Sequence, residues 1–386
     1  MAEHFDPSPS YPFWKKAGEI MRRFVFLTVF LCLVFVSGCS GELKPSSVED
    51  VALVNVLGID YIDDNRMQLT LAVPQPSVVG PTQTYSTESS LIKEGIVAIS
   101  SQADKEIKLN GLRIVLIDEE FAQSGKLWDV VEHLYRNPVI GGKVLIVVVK
   151  ESAKDMLEQE YPGKAGIVTY LNDLLKPKPH NMFNPYTSIH DFIYTQTNPV
   201  MDTVTPYLEL KEEKVEITGV ALFKEKRAIG VLNREQGQLI KILQGAKRLP
   251  ATTITVNEEI QTREQVVVDF VDSDVHFKSN KDINNPVLDI TLKLKGTLYE
   301  YQGDKDLSNS DDFAQLEKEI RDFMHSEVTA LLADLKEKNT DPVGLSENFR
   351  KYHHGRWSEE LTDKVTQNAE YRVHVKMQVL ATGTIR

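Results

Sequence analysis

The chain has very little cysteine: two residues, Cys32 and Cys39, in 386. Cys32 lies within an apolar run near the N-terminus, so removal of that run would leave a single cysteine. A single cysteine forms no intrachain disulfide and no cysteine-based zinc site. We therefore expect stability to come from hydrophobic cores, which a chain of this length can bury.

The most apolar run is also short. It extends over residues 24–36 (FVFLTVFLCLVFV), which is 13 residues, whereas a transmembrane helix needs about 20. The basic pair Arg22-Arg23 precedes it. A basic start followed by an apolar segment of this length is typical of a secretory signal peptide.

The residues after this run indicate lipidation. Ser37 and Gly38 are small, and Cys39 follows them directly, a pattern that closely resembles the bacterial lipobox. We predict cleavage between Gly38 and Cys39 and a diacylglyceryl anchor on Cys39, because two acyl chains hold a protein stably on a membrane. Residues 1–20 are unlike a signal peptide, which gives the hypothesis that Met21 is the true start.

The charge is predominantly acidic. The net charge is −12, and residues 1–38 carry +1, which leaves −13 for the remainder. An acidic body disfavours nucleic acid as a partner and disfavours electrostatic adhesion to anionic lipid. Solubility is sufficient to explain most of this charge.

Hydrophobic periodicity predicts a fold with both helices and strands. Strands are predicted at 51–61, 66–73, 113–117, 143–149, 217–223, 228–232, 252–256, 265–271, 287–301 and 370–380. Helices are predicted at the start of 91–109 and at 126–136, 153–159, 238–244 and 313–338. Residues 74–89 are predicted to form a loop, and 160–205 to combine short helices with loops.

The predicted elements give the class α+β, multidomain, with mixed or antiparallel sheets and packed helices. Residues 1–38 form the extension and signal peptide, and 39–48 a tether. Residues 49–205 form an N-terminal α+β domain, and 214–386 a C-terminal α+β region that divides further near 250.

Motifs for common catalytic chemistries are absent from the sequence. It contains no G-x-S-x-G, no P-loop, no G-x-G-x-x-G and no H-E-x-x-H. The adjacent pair His353-His354 is a weak candidate for metal binding, because neighbouring side chains point in different directions. Trp128 is expected in the core, and Trp357 either anchors its loop in the core or faces a partner. We predict no enzyme activity, no catalytic residue, no metal and no cofactor.

Several short motifs resemble the Ger(x)C family of spore germination lipoproteins. Each is weak alone, but their order over residues 37–383 is fairly specific. Serine and glycine stand after the lipid cysteine, where the family commonly has Trp-Asp. The matching segments are the lipobox, Leu57-Gly58-Ile59-Asp60, Glu120-x-Ala122-x-x-Gly125, Arg136-Asn137, Gly219-x-Ala221-x-Phe223 with Gly230-x-Leu232, Asp341-Pro342-Val343-Gly344, Trp357 and Gly383.

The resemblance implies a role. Proteins of this family are C subunits of nutrient germinant receptors, required for nutrient-triggered germination and not known as enzymes. The implied partners are the receptor's A and B subunits, and the implied location is the outer face of the inner spore membrane. The sequence does not say which nutrient is sensed, or whether this subunit touches it.

Two other classes of lipoprotein are alternatives. A solute-binding lipoprotein of a membrane transporter also carries a lipobox, but it has repeated strand–helix units that feed parallel sheets. The long alternating strands predicted at 287–301 and 370–380 disfavour it. A cell-wall enzyme lacks a recognisable nucleophile or metal set here.

Overall fold

In a computed structural model, the chain divides into two compact units, Met1–Asp50 and Val51–Arg386. The structure describes residues 22, 25, 50–74, 82–176, 185–257 and 264–381. The second unit contains an eight-stranded sheet, a four-stranded sheet and a two-stranded sheet, with the helices that cover them.

An eight-stranded mixed sheet forms one half of this unit. Its strand order is β10-β9-β8-β7-β6-β2-β3-β4, with β2, β6, β7 and β8 parallel and the other pairs antiparallel. A small sheet pairs β1 with β5 in parallel. The bounds are β1 Val51–Leu53, β2 Val56–Tyr61, β3 Met67–Val73, β4 Gln83–Ser89, β5 Glu106–Lys108, β6 Ile114–Asp118, β7 Leu145–Val149, β8 Val204–Lys211, β9 Lys214–Lys224 and β10 Arg227–Asn233.

Helices cover both faces of this sheet, so its central strands are apolar on both sides. All five residues of β7, Leu-Ile-Val-Val-Val, are buried, as parallel strands between two helical layers require. One face packs on α1, α2, α3 and α6, and the other on α4 and α5. The helices are α1 Ile92–Ser100, α2 Glu119–Ser124, α3 Leu127–Arg136, α4 Ala153–Glu158, α5 Ile167–Leu175 and α6 Ile189–Gln196.

A four-stranded sheet forms the other half. Its order is β11-β12-β13-β14, with β12 and β13 an antiparallel pair of 16 residues each and β14 parallel to β13. Inward side chains of β13 alternate with half-exposed ones, because this sheet is covered by a helix on one face. The bounds are β11 Thr252–Asn257, β12 Glu264–Ser279, β13 Val287–Gln302 and β14 Glu370–Ala381.

The 28-residue helix α8, Ser310–Glu337, supplies that cover. Asn309 caps its N-terminus by accepting the Asp311 N–H at 2.8 Å. A stripe of seven buried side chains faces the sheet: Leu316, Ile320, Met324, Val328, Leu331, Leu332 and Leu335. Burying each contributes about 1.5–3 kcal/mol. Shorter helices complete this half: α7 Arg234–Leu243, α9 Glu347–Arg350 and α10 Glu359–Asn368.

The two sheets share one hydrophobic core. Val204, Val220 and Leu222 of the eight-stranded sheet belong to the same buried cluster as the stripe of α8 and the inner face of the four-stranded sheet. The hairpin β9–β10 also continues the eight-stranded sheet beyond residue 214. The division into 49–205 and 214–386 stays a prediction.

The predicted fold class, α+β with mixed sheets, several domains and packed helices, is confirmed. Two local predictions were wrong. Residues 83–89, predicted as loop, form strand β4 at the sheet edge, where a half-exposed strand carries no apolar stripe. The predicted single strand 51–61 is two strands in different sheets, because Asn55 interrupts it by accepting the N–H groups of Arg113 and Ile114.

Candidate interaction surface at the junction of the two sheets

The predicted lipidation and cleavage residues lie outside the described part of the chain. Cys39, Gly38, the signal peptide and the tether 39–48 therefore stay predictions from the sequence. The other motif residues, up to the closing strand β14, fall within the described ranges, apart from Gly383.

The Asp60 carboxylate of the Leu-Gly-Ile-Asp motif caps a helix distant in sequence. It accepts the N–H groups of Ala153 and Lys154, the latter at 2.9 Å, at the start of α4. Asp118, at the end of β6, likewise accepts Tyr61 N–H at 2.9 Å and Phe121 N–H at 2.8 Å. Burial raises the pKa of both carboxyls, that of Asp118 to about 6. These acids join strands to helices, so their role is architectural.

Gly219 of the hairpin motif is required by close packing of two backbones. A Cβ atom built on Gly219 would lie 1.9 Å from the Leu232 carbonyl oxygen. No other residue fits there without moving strand β10. This motif, too, specifies the fold.

Asp341 of the Asp-Pro-Val-Gly motif organises a tight loop before α9. Its buried carboxylate accepts the N–H groups of Gly344, Leu345 and Ser346, each at 2.8 Å. Gly344 has a φ of 79°, a conformation that favours glycine. Burial raises the pKa of the Asp341 carboxyl, although the hydrogen bonds from Ser346 and Leu345 oppose this.

The Asp341 loop connects the four-stranded half to the eight-stranded sheet through Asp202. The Asp341 N–H donates to Asp202 Oδ2 at 2.7 Å, and the Asp202 N–H donates to the Asp341 carbonyl at 3.0 Å. Lys224, at the end of β9, pairs with Asp202 at 3.4 Å and with Asp363 of α10 at 2.8 Å. Burial acts to lower the pKa of Lys224, but the charge of Asp202 and the contact with Asp363 outweigh it and leave the pKa raised. We call the contact region formed by Asp202, Lys224, Asp341 and Asp363 the junction.

Trp357 fixes the next segment against the junction. Its buried indole donates from Nε1 to Thr362 Oγ1 at 2.8 Å, and Thr362 Oγ1 donates in turn to the Pro199 carbonyl. The expectation that Trp357 anchors its loop in the core is therefore confirmed. Trp128, expected in the core, is half-buried, with the Lys226 ammonium 4.3 Å from its ring centroid.

The structure pairs His353 with an aromatic ring. His353 packs edge-on against Trp357, with ring centroids 5.5 Å apart, while His354 is exposed. Within the described ranges, no three His, Cys, Asp or Glu side chains are placed to hold a metal ion.

An open groove of about 660 Å³ lies beside the junction, where Met201 and Val343 precede and follow its residues in the chain. We call it the junction groove; its lining includes Tyr194, Met201, Val343, Glu347, Arg350 and Trp357. Tyr194 is 60% exposed at one side. Arg350 pairs with Glu347 through two hydrogen bonds, at 2.5 and 2.7 Å. This concave, partly aromatic surface is suited to holding side chains of another molecule.

Sequence reasoning found only part of the junction. It singled out Asp341 and Trp357 through motif resemblance, and Lys224 directly follows the Gly219-x-Ala221-x-Phe223 motif, but it missed Asp202 and Asp363. Both are ordinary aspartates among 56 acidic residues, and they meet Lys224 only after the sheets have formed. No local pattern marks such a long-range pair.

Family models match both halves of the chain. "Spore germination protein N-terminal domain" matches residues 45–210, and "Spore germination B3/GerAC like, C-terminal" matches residues 218–383. The chain belongs to the Ger(x)C family of spore germination proteins. The resemblance predicted from the sequence is thereby confirmed.

A curated relative agrees with this assignment, and a solved structure shares the fold. The chain is 24% identical over 373 residues to spore germination protein GerQC of Bacillus cereus, covering 94% of this chain and 99% of the relative. The crystal structure of the GerBC protein matches the fold with a TM-score of 0.56 at 17% identity. That match covers 84% of this chain and 96% of GerBC.

Proposed function

We propose that this protein is a lipid-anchored, non-catalytic C subunit of a nutrient germinant receptor. It acts in nutrient-triggered spore germination through contacts with the receptor's A and B subunits. The observation that carries the proposal is the end-to-end match to a spore germination protein, which spans 94% of this chain and 99% of the relative.

The anchor is proposed from the sequence Ser37-Gly38-Cys39 that follows an apolar run of 13 residues. Cleavage before Cys39 and transfer of two acyl chains would hold the body on a membrane. We place it on the outer face of the inner spore membrane, as an exported lipoprotein of this family. In the part of the chain that the structure describes, no helix combines the length and apolarity needed to cross a bilayer.

The hydrogen bonding of the motif acids agrees with a role through protein contacts rather than through catalytic turnover. The family motifs contribute two acids, Asp60 and Asp341. Their carboxylates accept hydrogen bonds from backbone N–H groups. A carboxylate that accepts two or three N–H groups within the fold is occupied in holding it together. Specific turnover by the purified body, lost on a point mutation in a pocket, would contradict the non-catalytic role.

The decisive experiment is a Cys39→Ala substitution in the native host, with Cys32→Ala as the matched control. We expect Cys39→Ala to release the protein from the membrane fraction and to abolish nutrient germination while nutrient-independent germination persists. Cys32→Ala should leave both unchanged, because it lies in the segment that is removed. Protein levels are compared by immunoblot.

Two outcomes would count against the proposal. If the Cys39→Ala protein leaves the membrane and germination is unaffected, the tether has no function in germination. If deletion of the whole gene also leaves nutrient germination unchanged, the receptor role is wrong. The hypothesis of a solute-binding lipoprotein is then favoured. A thermal shift with amino acids or sugars would then test that reading, because ligands that bind the native state raise its melting temperature.

A further inference from the structure

The segment that follows the junction groove is locally basic on an acidic chain. Residues 350–357, Arg-Lys-Tyr-His-His-Gly-Arg-Trp, contain three permanent cations, two histidines and no acid, whereas the whole chain has a net charge of −12. Lys351, Tyr352, His354 and Arg356 are exposed. We call residues 350–357 the basic loop.

A neighbouring turn adds to this charge. Lys281, between β12 and β13, places its ammonium 4.5 Å from the Tyr352 ring centroid, and Lys351 places its own 5.4 Å from the same centroid. Tyr352 is 45% exposed between these two cations. Among the described residues, neither Lys281, Lys351 nor Arg356 has a carboxylate within 4.0 Å, whereas Arg350 is paired with Glu347. These three cations therefore have no ion-pair partner among the described residues, and the first exposed acids that follow the basic loop in the chain are Glu359 and Glu360, beyond Trp357.

The basic loop is held in place rather than left free. The N–H groups of Tyr352 and His353 donate to the carbonyls of Phe349 and Arg350 at 3.0 and 2.9 Å. Ser279 of β12 donates its hydroxyl to the Asn348 carbonyl at 2.7 Å. With Trp357 anchored in the core, the loop is fixed at both ends, so a partner would not have to order it on binding.

The basic loop and the junction groove form one surface, since Arg350 and Trp357 belong to both. Tyrosine, arginine and methionine, which line the groove, are enriched in protein interfaces, and tyrosine and arginine are also enriched among binding hot spots. The groove is an open depression with room for side chains, whereas the surface of a lipid bilayer is flat. The surface therefore favours a protein segment over a bilayer.

We propose that this surface binds an acidic segment of a partner protein: the segment's apolar side chains enter the junction groove and its carboxylates face Lys281, Lys351 and Arg356. The inference rests on the proposed function, within which the partner is the receptor's A or B subunit. Charge complementarity supplies the specificity, and Tyr194, which is 60% exposed, supplies apolar contact.

The test uses the full chain, affinity-tagged and co-expressed with the receptor's A and B subunits, and measures how much of each co-purifies. The variant is Lys351→Glu/Arg356→Glu. The matched control is Lys143→Glu/Lys318→Glu, which makes the same charge change at two exposed lysines far in sequence from the loop. Lys351→Arg/Arg356→Lys keeps both charges and serves as the conservative pair.

We expect the Lys351→Glu/Arg356→Glu variant to lose co-purification by at least about tenfold, and the control and conservative pairs to keep it. Tyr194→Ala should also reduce it. Unchanged thermal unfolding midpoints, within about 2 °C, would show that the variants fold.

Each contrary outcome is distinct. If the wild-type chain recovers neither subunit, the proposed function fails. If it recovers them and the Lys351→Glu/Arg356→Glu variant does so equally, the function stands and this surface assignment is overturned. If that variant instead loses binding to phosphatidylglycerol vesicles, or loses self-association, the surface faces a bilayer or a second copy, and the acidic-segment proposal is wrong.

Discussion

Asp202 and Asp341 exchange hydrogen bonds across the junction. The Asp341 N–H donates to Asp202 Oδ2 at 2.7 Å, and the Asp202 N–H donates to the Asp341 carbonyl at 3.0 Å. The Thr340 hydroxyl also donates to Asp202 Oδ2, at 3.1 Å. Because these residues lie about a third of the chain apart, the pair ties the eight-stranded sheet to the segment that leads into the basic loop.

Removing the Asp202 carboxylate should loosen this connection. We expect Asp202→Ala to lower the free energy of unfolding by about 3 kcal/mol, because it leaves the Asp341 N–H and Thr340 hydroxyl without their acceptor and deprives Lys224 of one partner. Asp363→Ala is the matched control and should cost about 1 kcal/mol, since Lys224 keeps Asp202. Urea unfolding measures both; equal costs would show that the salt bridge, and not the backbone contact, dominates.

Trp357 gives a second test of the same region. Trp357→Phe removes the hydrogen bond to Thr362 and part of a buried ring, which we expect to cost about 2 kcal/mol. Trp128→Phe alters a half-buried ring that faces Lys226, and should cost about 1 kcal/mol or less. The two variants are compared by the midpoint of chemical unfolding. A Trp357 variant as stable as the Trp128 variant would mean that the indole is not an anchor.

A substitution at Gly219 tests the interpretation that the family's hairpin motif is required for close packing of strands β9 and β10. Gly219→Ala would place a Cβ atom 1.9 Å from the Leu232 carbonyl oxygen, so we expect a loss of about 4 kcal/mol or more, or no soluble protein. Gly141→Ala meets no atom within 4 Å and should change stability by about 0.5 kcal/mol at most. Soluble yield and thermal midpoint are the measurements. A folded, stable Gly219→Ala protein would contradict this backbone contact.

The fold was predictable from sequence wherever the chain repeats a pattern. The alternation of β13, where Leu288, Ile290, Leu292 and Leu294 are buried, and the stripe of α8 follow directly from side-chain geometry. The edge strand β4 was not predictable, because its sequence Gln-Thr-Tyr-Ser-Thr-Glu-Ser is polar and its hydrogen bonds to β3 are set by the sheet.

The candidate surface was predictable only in part. The basic loop can be read from residues 350–357 alone, and its resemblance to a family motif pointed to Trp357. The junction groove could not be inferred, because Tyr194 and Met201 reach Val343 only through pairing of residues about 140 positions apart. Local sequence carries the charge of a surface, but long-range folding decides its shape.

Asp118 should make stability depend on pH in an unusual direction. Burial raises the pKa of its carboxyl from 3.8 to about 6, although the N–H groups of Tyr61 and Phe121 oppose this. Between these two values the folded chain binds more protons at this position than the unfolded chain does, so this contribution to stability is present below about pH 4 and is lost as pH rises through 6. Over the whole titration the loss amounts to about 3 kcal/mol.

The Asp118→Asn variant, which keeps an acceptor for one N–H but cannot titrate, should lack this pH-dependent loss. Urea unfolding of both chains at pH 4 and pH 7 measures most of this loss. Because the unfolded carboxyl is already partly ionised at pH 4, the wild type should lose about 2 kcal/mol more than the variant on going to pH 7. Parallel pH profiles would show instead that Asp118 is ionised in the folded chain over the whole range, as a carboxylate fully stabilised by its two backbone donors would be.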